Sequence, residues 1–165
     1  MELCWAYFTV RREHNSSNSS ADLSLPTLIA ERIHRAISPG PSICWRGVVG
    51  GIASNAIELM LKYHSVVNDI QVLLGPSICK DCFEVGVEVA DQFDGNFVTT
   101  GKNEKYFASL HDQVKSQLLK YKIDKKNIHK STTCTFENKE CCSYRRDGKN
   151  AGRMYSFLGV KHGFN

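Results

Sequence analysis

The sequence predicts an α/β fold in which a mixed sheet is flanked by helices. Three observations carry this. Apolar residues recur at three- and four-residue spacing along three separate segments, short apolar runs of strand length stand between and after them, and the order alternates in the way of layered α/β domains. The composition, 42% hydrophobic and 23% charged over 165 residues, is ordinary globular usage and enough for one domain with a real core.

Residues 1–43 read differently from the rest. They hold a short aromatic start (Trp5, Tyr7, Phe8), the polar tract "HNSSNSSADLS", a short helical pattern around Leu28 to Ile37 and the turn-rich "SPGPS". A boundary is expected near Pro41, with 1–43 a divergent or poorly ordered N-terminal segment and 44–165 the folded unit.

From Val48 the apolar set Ile52, Ala56, Leu59, Met60 and Tyr63 predicts an amphipathic helix, with Glu58 four residues before Lys62 on its outer face. "IQVLLG", Ile70 to Gly75, reads as a buried strand running into a Gly-Pro turn. Asp81 followed three positions later by Glu84 resembles a capping box, opening a second helix along Val85, Val89 and Phe93. A third helix is expected along Phe107, Leu110, Val114, Leu118 and Tyr121, then a strand in "NIHKST". The apolar stretch Met154 to Val160 has strand length and aromatic content.

The formal charge of +4 is small and scattered, with no basic stripe, so nucleic acid is not an expected partner. No apolar run approaches the roughly 20 residues of a membrane span. Seven cysteines form an odd set with no cleavable leader before them, which favours reduced thiols and a cytoplasmic protein. The triplets at Asn15 and Asn18 match a glycosylation acceptor that matters only in a secreted chain.

Four constellations could carry chemistry. Arg46 stands beside Gly47, Gly50 and Gly51 directly before a helix. Unpaired N–H groups at a helix start, glycines that admit a ligand to the backbone and an arginine fork suit phosphate or carboxylate, although the spacing matches neither the dinucleotide fingerprint nor the P-loop. The competing reading is a tight turn with an arginine paired to a nearby carboxylate. Cys79-Lys80-Asp81-Cys82 would place Cys82 in a first helical turn, where the dipole and Lys80 lower a thiol pKa, so thiol redox chemistry is one reading. A zinc site from Cys79, Cys82, Cys134 and Cys141 or Cys142 is another, but the second tight ligand pair that structural zinc sites show is missing, and buried inert thiols are the third.

Arg145-Arg146-Asp147-Gly148 is either a solvated turn or the completion of an anion site begun by Arg46. The histidines (His14, His34, His64, His111, His129, His162) show no ligand spacing and are expected at the surface or as caps. That absence also argues against multicopper oxidation of phenols.

Taken together, "CWRGVVGGI", "VLLGPSICKDCFEVGVEVADQF", "KYF…QLL…NI", "CT" and "SYRRDG" resemble the laccase-domain family over roughly the last 120 residues. Members were first called multicopper polyphenol oxidases and later read as purine nucleoside enzymes that phosphorolyse adenosine, inosine and methylthioadenosine and deaminate adenosine. The resemblance implies zinc as cofactor, with copper in the older description, and purine nucleoside and phosphate as ligands. It implies a metal held by a histidine three residues before the tryptophan, together with an upstream histidine and cysteine. Here Ser42 stands three before Trp45, and residues 1–43 lack the expected Asp-Cys segment, so none of the three ligands is expected in this chain.

Gly-Pro-x-Ile-Gly-Pro-Cys-Cys-aromatic has become Gly75 to Phe83 with Cys79 in place of a glycine, and Cys141-Cys142 replaces an aromatic pair. An incomplete laccase-domain fold is therefore expected, with Arg46, Gly47 and Arg146 as phosphate or ribose contacts and Asp147 orienting an arginine. The other function class is a non-catalytic, partner-binding remnant that self-associates or pairs with a full-length homologue.

Overall fold

The computed structural model describes residues 8–12, 45–103 and 105–154. Strand β1 (Phe8–Arg12) is followed by helices α1 (Trp45–Val49) and α2 (Ile52–Lys62) and strand β2 (Ile70–Leu74). Next come β3 (Glu84–Val85), the short helix α3 (Val87–Ala90), β4 (Val98–Thr100), β5 (Tyr106–Ala108) and α4 (Leu110–Lys120). Strand β6 (Ile128–Lys130) and the short helix α5 (Tyr144–Asp147) complete the described elements.

Two three-stranded sheets result. In the first, β2 lies between β1, antiparallel with Phe8 opposite Leu74, and β6, parallel with Val72 opposite Ile128. In the second, β5 lies between β3 and β4, both antiparallel to it. The mixed α/β class is as expected. The expected boundary near Pro41, the helical pattern at Leu28 to Ile37 and nearly all of the strand Met154 to Val160 lie outside the described residues. No described helix is long and apolar enough to cross a membrane.

The first predicted helix is two. Gly50 donates its N–H to the Arg46 carbonyl at 2.8 Å and closes α1, and Gly51, at φ 79°, reverses the chain into α2. The "WRG" stretch is thus itself a helical turn, not a flexible loop feeding a helix. A Cβ at Gly50 would stand 2.9 Å from the Arg46 carbonyl oxygen, whereas one at Gly47 would meet only the Ile52 Cδ1 at 3.5 Å. Gly50→Ala is therefore expected to cost about 1–3 kcal/mol of stability and Gly51→Ala about 1–2 kcal/mol. Gly47→Ala, inside a helix and unobstructed, should be neutral or stabilising, and urea denaturation of the three variants checks the order.

Strand β2 buries Ile70, Val72 and Leu74 and exposes Leu73 by half, so it is buried on one face rather than two. The second predicted helix gives way to a 3₁₀ turn (Lys80–Cys82), strand β3 and α3. Asp81 is exposed and caps nothing, because Phe83 and Val85 alternate inward with strand period and draw the segment onto β5. The side-chain cap belongs to α4, where the Ser109 Oγ accepts the Asp112 N–H at 3.3 Å and donates back to the Asp112 carboxylate. Phe107, expected on that helix, is instead in β5.

Helices α1, α2 and α4 pack together. The Gln117 Nε2 donates to the Val48 carbonyl at 2.6 Å, and the Tyr121 hydroxyl donates to the Glu58 carboxylate. Trp45, Ile57, Met60, Val72, Leu110 and Leu118 belong to one continuous core running from these helices to the first sheet.

Candidate functional site

Parallel neighbours end on the same side of a sheet, so the loops leaving β2 and β6 must run side by side. The Ser131 N–H donates to the Leu74 carbonyl at 2.8 Å, and the Thr135 N–H to the Ser77 carbonyl at 3.0 Å, carrying the pairing past the strands to a parallel bridge between Ser77 and Cys134. Two residues beyond Ser77 the first loop presents Cys79 and Cys82. The second presents Cys134 and, three residues on, Glu137.

The three sulfur atoms and a Glu137 carboxylate oxygen all lie within 4.8 Å of one another. The Cys79 N–H donates to the Cys134 Sγ at 3.3 Å, and the Cys82 thiol to the Glu137 Oε1 at 3.6 Å. Cys134 is buried, Cys79 and Cys82 are half-buried and Glu137 is exposed. This is the one group of three or more potential ligands close enough to share an ion among the described residues.

Burial raises the Cys79 and Cys82 thiols above their ordinary range, and the neighbouring sulfurs push Cys82 further up. Burial pushes Cys134 up too, but N–H groups of Cys79, Glu137 and Phe136 aimed at its sulfur outweigh this and bring it below its ordinary value. The expected depressed thiol at Cys82 is therefore corrected. Only a single 3₁₀ turn stands there, with no α-helix to supply the first-turn dipole, and the anion-stabilising donors converge on Cys134 instead. Redox chemistry by an activated Cys79 or Cys82 loses its basis.

Arg146 is held completely. Its Nε and Nη2 form a two-pronged pair with Asp147, both at 2.8 Å. Its Nη1 donates to the carbonyls of Thr135, Phe136 and Asn138 at 3.0, 3.1 and 3.0 Å, and its Nη2 to that of Cys141 at 2.7 Å. All five N–H groups of the guanidinium are thereby engaged. That hydrogen bonding with Arg146 is the main cause holding the Asp147 carboxyl below its usual range.

Arg145, one residue earlier, donates from Nη1 to the Glu84 carbonyl at 2.7 Å and places its guanidinium 5.5 Å from the Phe83 ring. The pair thus ties the Cys134–Cys141 loop and the strand after Cys82 to the same short helix, α5.

Of the residues predicted for an anion site, the structure brings Arg146 and Asp147 together. Arg46 is exposed on α1 with its guanidinium 4.4 Å from the Trp45 ring, and Gly47 follows it there. No hydrogen bond or ion pair among the described residues links Arg46 to Arg146 or Asp147. Cys141 and Cys142, weighed as a fourth metal ligand, stand outside the sulfur group, and Glu137 takes that place. The signal was legible as Cys134-Thr135-Phe136-Glu137, a second x-x spacing matching Cys79 to Cys82, but it ends in a carboxylate rather than a thiol.

His111, expected at a surface or cap, is buried. Its Nε2 lies 3.0 Å from both the Gly75 carbonyl and the Ser77 Oγ. A carbonyl only accepts, so Nε2 carries the proton and has no lone pair for a metal or a substrate. Burial lowers its pKa. The unfolded chain then binds the proton more readily, and stability is expected to fall as pH drops through about 6.5 toward the lower folded-state value. Thermal melts from pH 7.5 downward check this against His111→Asn, whose curve should be flatter. Exposed His64 and His129, the latter 3.2 Å from the Gln71 Oε1, gather no further ligands.

The model of a family described as multi-copper polyphenol oxidoreductase laccase matches residues 9–161. An adenosine deaminase from an unknown prokaryotic organism is 35% identical over 120 residues, covering 68% of this chain and 46% of that protein. A purine nucleoside phosphorylase of Clostridium acetobutylicum is 33% identical over 119 residues, covering 69% and 50%. The crystal structure of YlmD from Geobacillus stearothermophilus superposes with a TM-score of 0.58 at 28% identity, over 62% of this chain and 42% of that one. The chain spans about half the length of the relatives it matches. With the match running through the thiol loops and both arginines, the chain belongs to the multi-copper polyphenol oxidoreductase laccase family.

Proposed function

We propose that this chain forms the C-terminal half of a purine nucleoside phosphorylase-type domain. The observation that carries the reading is the match, at 33–35% identity, to relatives named purine nucleoside phosphorylase and adenosine deaminase. In phosphorolysis a phosphate oxygen attacks C1′ of the nucleoside, the bond from C1′ to the purine nitrogen breaks, and the departing base takes up a proton.

Arg46 is the residue proposed to meet phosphate, because its guanidinium is exposed and braced against the Trp45 ring. Gly47, the other residue proposed for this contact, follows it on α1. Arg146 and Asp147 enter as positioning residues, since every Arg146 donor is engaged in holding the loop.

The zinc implied by family resemblance requires two imidazoles and a thiolate. The described histidines do not fit it: none of His64, His111 and His129 has two further potential ligands close enough to share an ion. Ser42 stands at the third position.

Ser42 favours the second reading, a non-catalytic chain that pairs with a full-length homologue. Incubating the purified chain with adenosine or inosine and inorganic phosphate, and following free base and ribose 1-phosphate, separates the two. Turnover sinks the second reading, and a folded chain that releases neither product sinks the first. In an active chain, Arg46→Gln is expected to raise the KM for phosphate, because the exposed guanidinium proposed to meet it is gone.

A further inference from the structure

We propose that Cys79, Cys82, Cys134 and Glu137 form a closed, tetrahedral zinc site that clamps the loops leaving β2 and β6. It is distinct from the metal implied by family resemblance and independent of the nucleoside reading. Three soft sulfurs and one carboxylate suit Zn²⁺ in number and kind. The two pairs, Cys79-x-x-Cys82 and Cys134-x-x-Glu137, have the tight spacing of structural zinc sites.

On a tetrahedron with Zn–S bonds of about 2.3 Å, ligand atoms stand about 3.8 Å apart. Donors already within 4.8 Å of one another close to that separation by small side-chain rotations. The surroundings are those of a thiolate site. Backbone N–H groups of Cys79, Phe136 and Glu137 converge on the Cys134 sulfur, as they would on a thiolate coordinated to a metal.

Binding converts three thiols and one carboxylate to a complex of net charge −2 and releases three protons, less any already lost from Cys134. Arg146 holds the same loop through the carbonyls of Thr135, Phe136, Asn138 and Cys141.

The test uses the full chain, reduced and stripped of metal, titrated with ZnCl₂ alone against a chromophoric chelator. The expected result is one Zn²⁺ per chain with proton release, and with Co²⁺ a thiolate charge-transfer band and the visible spectrum of a tetrahedral ion. Glu137→Gln, on an exposed side chain that leaves the fold intact, should weaken binding on the order of 10- to 100-fold. Cys134→Ser should weaken zinc binding at least as far and diminish the cobalt thiolate band, while Cys141→Ser changes neither quantity. Zinc affinity that survives both Glu137→Gln and Cys134→Ser, or substoichiometric zinc on the folded wild-type chain, would overturn the proposal. So would conversion of Cys79 and Cys82 to a disulfide by mild oxidant at an unchanged rate with zinc present.

Discussion

Phe83→Ala is expected to destabilise the fold by about 3–5 kcal/mol, the range for deleting a buried phenyl ring. Phe83 is 1% exposed, its ring meets that of Phe93 edge-on at 6.4 Å, and the Arg145 guanidinium lies over it at 5.5 Å. Truncation removes the ring from the core, an aromatic pair and a cation–π contact together. The urea midpoint should fall with little change in slope. A cycle with Phe93→Ala should show coupling of about 0.5–1.5 kcal/mol, the part due to the ring pair itself. Because Phe83 lies between Cys82 and Glu84, the same variant should weaken zinc binding, whereas Leu118→Ala, a core truncation on α4, should lower stability without that second effect.

Arg146→Gln is expected to loosen the Cys134–Cys141 loop more than any other single change outside the sulfur group. Four main-chain carbonyls and the Asp147 carboxylate all accept from this one guanidinium. Removing it takes a donor from each of them, with the Asn138 carbonyl keeping the Cys141 N–H, and leaves Asp147 without the guanidinium, so that the Asp147 carboxyl rises toward the ordinary range. Zinc affinity should drop on the order of 10- to 100-fold, the usual cost of losing groups that orient metal ligands. Amide hydrogens over residues 135–141 should exchange faster. Arg146→Lys separates charge from geometry: an ammonium carries the charge but not the fork, and it should resemble Gln rather than the parent. Near-normal affinity in the Lys variant would show that charge alone suffices.

Elements fixed by a single strong local pattern were legible in the sequence. Helix α4 is set by apolar residues at Leu110, Val114 and Leu118, and β2 by a short apolar run. What misled was competition between patterns of similar strength. Val85, Val89 and Phe93 do share a helical period, but Phe83 and Val85 also share a strand period, and the partner strand β5 settled the matter through contacts distant in sequence. Asp81 and Glu84 have capping-box spacing without a helix to cap, while Ser109 and Asp112 cap a helix that was expected to start earlier.

The site was legible in parts. The CxxC and both arginines stand out as residues. Their meeting with Cys134 and Glu137 depends on the parallel pairing of β2 with β6, which no local pattern announces. Arg146 reads as an anion binder by type, and only the carbonyls gathered around it reveal an anchoring role.

That parallel pairing also fixes a timetable. Cys134 follows Cys82 by 52 positions in the chain. At ribosomal speeds of about 5–20 residues per second, Cys79 and Cys82 spend about 3–10 s as nascent thiols before their partner has been made. During that interval the CxxC is open to stray oxidants and to competing metal scavengers, so a newly made chain is more vulnerable to sulfur damage than the finished fold.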